Sequence, residues 1–251
     1  MISPMMRNNT ESSQTVYRKL SRQEYEDMAS RILYEDNHVL VFNKRSGEIT
    51  QGDKTGDEPL PEKLKAFIAI RDNKPGKVFM GVPHRLDRPV SGAVILAKTS
   101  KALERLAGTF REGNARKIYW ALVENRPDPQ EGEIHSWLSR NEKQNKSYSS
   151  PTPVPGAKEA VLRYRLLETT KRYFLVEVEL LTGRHHQIRC QLASIGCPIK
   201  GDLKYGARRS NRDGGICLHA KEVTFMHPTR KESVTVTAPL PDTFRIVQEC
   251  H

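Results

Sequence analysis

Residues 83 to 98 read PHRLDRPVSGAVILAK. Two kinds of chain meet in this stretch. Pro83, Pro89 and Gly92 bound a loop. Gly92 to Lys98, GAVILAK, carries an unbroken apolar run and reads as a buried strand. The loop holds one carboxylate, Asp87, between the guanidinium groups of Arg85 and Arg88. Close cations favour the ionised carboxylate. That suits an ion-paired or nucleophilic Asp beside a polyanionic substrate. The competing reading is an Asp that caps its own turn.

Outward from this stretch, strands outnumber helices. Ile32–Asn43 reads as two strand pieces around the turn residues Glu35, Asp36 and Asn37. Gly47–Pro59 is a loop, and Leu60–Arg71 carries a helical stripe of Leu60, Leu64, Phe67 and Ile68. Val78–Val82 is expected to be a short strand leading into the Asp87 loop. Ser100 is expected to cap a helix that turns Leu103, Leu106, Ala107 and Phe110 inward and ends at Gly113. Arg116–Glu124, Ala160–Glu168, Tyr173–Leu181, Ile216–Phe225 and Ser233–Ala238 read as strands. Ile188, Leu192 and Ile195 mark a helix closed by Gly196, and Pro241–Glu249 is expected to be a terminal helix. Residues 1–20 read as a mobile polar tail, and Ser21 with Glu24 opens a short helix with a capping box. Residues 125–158 read as a polar surface insertion holding one short hairpin around Ile134–Leu138. The strands are not interleaved with helices in a regular βα repeat. The fold class is therefore α+β with a large mixed sheet.

Composition narrows the partners. The net charge of +11 favours a polyanion, nucleic acid before an anionic membrane surface. No run of 18 or more apolar residues spans a membrane, and no apolar signal core opens the chain. The expectation is a cytoplasmic protein, with a monomer as the default state. Cys190, Cys197, Cys217 and Cys250 form no CxxC pair, so a metal or disulfide framework is disfavoured. No phosphate-binding GxxxxGK[ST] and no GxGxxG after a strand is present.

Two further stretches carry candidate chemistry. Leu181–Arg189 reads LTGRHHQIR and joins a strand to a helix, whose start favours an anion. Arg184 and Arg189 can converge on one pocket if Arg184 is still in the turn. The alternative is an ordinary basic helix start. His185 and His186 point about 100° apart on a helix, a poor arrangement for shared zinc ligation. In Lys117-Ile118-Tyr119-Trp120-Ala121, Tyr119 is read as stacking on a base or moving a proton. The plainer reading makes it core or rim. Trp120 faces the other way, toward the core.

Taken in order, these residues resemble the RluA-type RNA pseudouridine synthases. The matches are HRLDR-x-x-SG at 84–92, K-x-Y-x-A at 117–121, and TGR-x-HQIR at 182–189. G-x-PI-x-GD-x-x-YG follows at 196–206, then Leu218-His219-Ala220 and Phe225-x-His227-Pro228. The resemblance covers about residues 32–240. It implies a pseudouridine synthase fold: a mainly antiparallel bent sheet with flanking helices and loops around a central basic cleft, within a catalytic domain over 32–251. Residues 1–31 would be an extension with a short helix, and no S4-like RNA-binding domain is expected ahead of it. The resemblance also implies Asp87 as the catalytic carboxylate, Tyr119 against the target base, and Arg189 paired with Asp87. Arg85 would fill the stack position left by a flipped uridine. His84, Arg88 and Arg184 would join it in binding RNA, ribosomal or transfer. No cofactor and no metal is implied. Lys44-Arg45-Ser46-Gly47 departs from the family's Lys-Pro-x-Gly, Val90 stands where Thr is common, and Gln191 where His is common. These departures bear on substrate choice. The competing functions are a non-catalytic RNA binder on the same fold and a metal-dependent nuclease, which would need clustered carboxylates.

Overall fold

In a computed structural model, the structure describes residues 17–53 and 55–245. In chain order the elements are α1 (Arg22–Ser30), β1 (Ile32–Glu35), β2 (Val39–Lys44), α2 (Leu60–Arg71), β3 (Ser91–Ala97), α3 (Ser100–Arg111) and β4 (Arg116–Val123). Then follow β5 (Glu131–Asn141), β6 (Lys146–Ser150), β7 (Lys158–Thr169), β8 (Phe174–Leu180), α4 (Gln187–Ser194), β9 (Leu218–Met226) and β10 (Ser233–Thr237). All ten strands form one sheet in the order β1-β2-β3-β9-β4-β8-β7-β5-β6, with β10 added to β9. The pairings are antiparallel except β3 with β9. That parallel contact is two residues long, Ser91 opposite His219 and Gly92 opposite Ala220.

β2 and β3 are covered on both faces, as their apolar runs require. Leu40, Phe42, Val94 and Leu96 face one core with Leu64, Phe67 and Ile68 of α2. Val39, Val41, Ile95 and Ala97 face the other with Ala102 and Leu106 of α3. Each Val, Leu, Ile or Phe among them gains about 1.5–3 kcal/mol by leaving water. β3 therefore sits rigidly between two helices, and the Asp87 loop enters it directly.

α1 carries the full Ser21–Glu24 capping box, and α2 has the expected bounds. Elsewhere the expectations need correction. α3 is capped by Thr99, not Ser100, because the Thr99 hydroxyl accepts from the Ala102 amide. Val78–Val82 contributes one bridge, Gly81 to Ala97, and no strand. The reason lies in His84, whose Nε2 accepts the next available β3 amide, that of Ile95, at 2.9 Å. Tyr17, placed in the tail by the sequence reading, accepts the Val78 amide proton at 2.6 Å and packs on the core. The hairpin at 131–150 is longer than expected, and its first strand pairs with β7 in the main sheet. Asp242–Phe244 form a 3-10 turn, and the rest of the expected terminal helix lies largely outside the described residues, as does Cys250. Among the described residues no helix is long and apolar enough to cross a membrane.

Candidate active site and nucleic-acid cleft

An open cleft of about 920 Å³ runs along the face where the Asp87 loop, β4 and the start of α4 meet. Its lining cations are Arg85, Arg88, Arg111, Lys117, Arg140, Arg184, Arg189 and Lys204, against the lining acids Asp53 and Asp87. A smaller hollow of about 480 Å³ lies on the opposite face of β4. Its arginines are satisfied by neighbours, Arg116 by Glu179, Arg163 by Glu133 and Arg165 by Glu177, so it offers little net charge.

The loop carrying Asp87 is held from below by a fully buried lysine. Lys44 Nζ donates to the carbonyl oxygens of Arg45, Asp87, Arg88 and Val90 at 3.0, 3.2, 3.1 and 2.6 Å. Burial pulls the Lys44 pKa down to about 7, against the attraction of Glu48 and Asp87. The Gly47 amide donates to the Arg88 carbonyl and the Ile216 amide to that of Pro89. The backbone at Asp87 is thereby fixed from three sides.

The partners of Asp87 come from α4. Arg189 Nη1 lies 3.3 Å from Asp87 Oδ2. The same guanidinium binds Asp202 through Nε at 2.6 Å and Nη2 at 2.8 Å. Burial opposes its charge, but the Asp202 contacts and then Asp87 outweigh that and raise its pKa. Asp202, 1% exposed, is a partner of Arg189 and not an isolated acid. His186 Nε2 stands 3.6 Å from the same Asp87 oxygen. Its Nδ1 is 3.0 Å from the Tyr205 hydroxyl, which accepts the Ser147 amide proton at 2.8 Å. Where that hydroxyl gives its one proton to Nδ1, the imidazole proton sits on Nε2, toward Asp87. Burial, with Arg189 and His185 nearby, holds the His186 pKa down to about 2, so the ring is neutral. His186 takes a left-handed backbone, φ 53°, as the N-cap of α4. That turn brings both His186 and Arg189 onto one carboxylate.

Tyr119, 8% exposed, reaches the cleft from β4. Burial, and then the Asp87 charge, raises its pKa, so it is a neutral phenol. Arg184 and Arg189 both line the cleft, as the turn geometry allowed, but Arg184 Nε donates to the Glu159 carbonyl at 2.7 Å. Arg85 is exposed at the rim and donates to Gln51 at 3.0 Å.

The cations flanking Asp87 in sequence are not its partners. Arg88 turns away to Asp57, Asp53 and Thr55, because successive side chains of the turn diverge. His84 is half-buried, stacked on Phe110 at 4.2 Å, with Nε2 taken by the Ile95 amide. Burial lowers its pKa to about 3, helped by the Lys117 charge. It therefore serves the sheet, with no cation to offer a phosphate. The sequence reading missed Lys44, His186 and Tyr205 as parts of the site and left Asp202 single. The one available signal for His186 and Tyr205 was their place inside the matched motifs.

The sequence pattern of the RNA pseudouridylate synthases matches residues 38–194. The "Ribosomal large subunit pseudouridine synthase C" of Vibrio parahaemolyticus is 33% identical over 221 residues, covering 85% of this chain and 67% of the relative. An uncharacterized RNA pseudouridine synthase of Bacillus subtilis is 35% identical over 220 residues, 86% of this chain and 71% of the relative. One from Synechocystis is 33% identical over 216 residues, 85% and 66%. The chain thus spans about two thirds of the length of the relatives it matches. Two solved structures share the fold. Human RNA pseudouridylate synthase domain containing 4 superposes with TM-score 0.74 at 22% identity, covering 90% of this chain and 94% of that one. Human RNA pseudouridylate synthase domain containing 1 gives 0.68 at 25%, covering 86% and 85%.

Proposed function

Because this chain belongs to the RNA pseudouridylate synthase family, we propose that it isomerises uridine to pseudouridine in RNA, with Asp87 as the reacting carboxylate. The observation that carries the reading is the Asp87 oxygen held 3.3 Å from a buried, Asp202-anchored Arg189 in a cation-lined cleft. The reaction breaks N1–C1′, turns the uracil and forms C5–C1′. The C5 proton leaves and N1 gains one, so the change is internal and calls for no oxidant. Attack of a carboxylate at C1′, attack at C6, and proton removal toward a glycal all need a fixed, unprotonated oxygen beside the sugar and base. Arg189 supplies the fixing charge.

The target base leaves its stack to reach Asp87, a cost of a few kcal/mol. Arg85, exposed at the rim, fills the place it leaves. Tyr119 lies against the everted uracil, where a neutral phenol gives a stacking face and a proton at its hydroxyl. Arg184 and the other lining cations hold the backbone. Large-subunit ribosomal RNA is the first substrate to examine, since similar relatives carry that name, and transfer RNA the second. The test is pseudouridine mapping of total RNA from cells lacking the protein, rescued with wild type or with Asp87→Asn. Sites restored by wild type and absent with Asp87→Asn are expected. Restoration by both would end the assignment of Asp87, and no change in either RNA class would end the proposal.

A further inference from the structure

β4 presents alternate residues to opposite faces. Arg116 and Ile118 line the hollow on one side, Lys117 and Tyr119 the cleft on the other. Lys117 is 9% exposed. Among the described residues only Lys44 is a comparably buried lysine, and its ammonium faces four carbonyl oxygens. The Lys117 ammonium has no hydrogen bond and no ion pair among the described residues. It is not sealed off, since the residue lines the cleft. A largely desolvated charge without a protein partner is less favourable than a paired one, and in the free protein this one faces only the open cleft.

The surroundings are made for an anion. Gly183 stands opposite, where even a Cβ would lie 3.9 Å from the Lys117 nitrogen. A longer side chain there would cover it. Arg111, exposed at the end of α3, lines the same cleft with no ion pair of its own among the described residues. His84, in the Asp87 loop and within electrostatic reach of Lys117, is uncharged and repels neither a cation nor its ligand. Lys117 lies one strand repeat, about 7 Å, from Tyr119, comparable with the span of one nucleotide.

We propose that Lys117, with Arg111 at the rim, forms a subsite for the backbone phosphate next to the nucleotide held at Asp87. The proposal rests on the functional reading above for where that nucleotide sits. Desolvation lowers the Lys117 pKa in the free protein. An arriving phosphate supplies the missing counter-charge, so the strain is relieved when RNA is bound.

The test reads binding and not turnover, so it stands apart from the test of activity. A short single-stranded oligouridylate is titrated against wild type, Lys117→Met and Lys117→Arg over a range of KCl. Each phosphate contact on a single strand contributes about 0.7 to the slope of log affinity against log salt. Lys117→Met is expected to bind several-fold more weakly with a slope smaller by about 0.7, and Lys117→Arg to keep the slope. The free Lys117→Met protein is expected to melt no lower than wild type, since an uncompensated charge has gone. Weaker binding at an unchanged slope would mean a neutral contact and overturn the phosphate assignment. A lower melting temperature with unchanged binding would make Lys117 structural and overturn it as well. If Lys117→Met does not fold, Lys117→Gln carries the same two measurements.

Discussion

At the scale of single residues the site is one carboxylate whose position is set by groups far away in the chain. Arg189 gives two hydrogen bonds to Asp202, through Nε and Nη2, and reaches Asp87 with Nη1. Asp87→Asn keeps the shape and removes the charge. It is expected to lower isomerisation by at least about 10²–10⁴-fold, the range of a reacting acid–base group, with RNA affinity within several-fold. Single-turnover assay and filter binding check this, and a fully active variant would refute it. Asp202→Ala strands the guanidinium in a buried place. It is expected to cost about 3–5 kcal/mol of stability and most of the turnover, read by urea denaturation. Wild-type stability would show that Asp202 does not anchor Arg189. Asp87, Tyr119 and Arg189 were legible as matches to ordered motifs. The electrostatics were not: Arg85 and Arg88 flank Asp87 in sequence and contact other groups in space. A left-handed His186 has no signature a single sequence displays, since non-Gly residues adopt that backbone for tertiary reasons.

At the scale of elements the Asp87 loop depends on the short parallel contact of β3 with β9. Gly92 makes it possible. Its φ is +114°, and a Cβ there would stand 2.3 Å from the Ala220 carbonyl oxygen and 2.6 Å from the Ala220 amide nitrogen. Both are backbone atoms that cannot swing aside. Gly92→Ala is expected to cost more than about 1 kcal/mol, a fall of at least about 2–4 °C in Tm for a chain of this size. It should also loosen the Ser91–His219 hydrogen bond, 2.9 Å, so turnover should fall together with Tm. Loss of stability with full turnover would show that the loop does not need this contact. The helices and the doubly covered β2 and β3 were readable because period and capping are local signals. The strand expected at Val78–Val82 failed because a side chain, His84, took the amide that a strand would have used. The extent of β5 was hidden because its polar residues face solvent at the sheet margin. Gln191 shows the same limit: its amide donates to Ile134, Ser136 and Ala160, fastening α4 to β5 and β7, a role no neighbouring residue announces.

At the scale of the whole molecule, neutral histidines lie within the Asp87 loop, at the start of α4 and on β9 beside it. Burial lowers the pKa of His84 to about 3, of His186 to about 2 and of His219 to about 4, each from an ordinary 6.5. As the pH falls below 6.5 the unfolded chain takes up these protons first, because the folded values are depressed. The histidine contribution to stability is therefore full above the ordinary histidine value and declines on acidification through the window below it, whereas the linkage of Lys44, lowered from 10.5 to about 7, acts above that window. Each fully buried ring contributes a slope of about 1.4 kcal/mol per pH unit. His186 and His219, 8% and 0% exposed, contribute most, and half-buried His84 less because solvent screens it. Glu35 and Asp36 have lowered values too, but carboxylates begin to protonate nearer their own ordinary range, about 4. A decline that starts near 6.5 is thus the mark of the histidines. Urea denaturation between pH ~7 and ~5 should show a slope of about 2–3 kcal/mol per pH unit toward the acid end. His219→Asn, which keeps an acceptor for Ser91, should lower that slope by about 1.4 kcal/mol per pH unit. A flat profile across the window would mean that the rings charge in place and that the cleft floor is wetter than its burial implies.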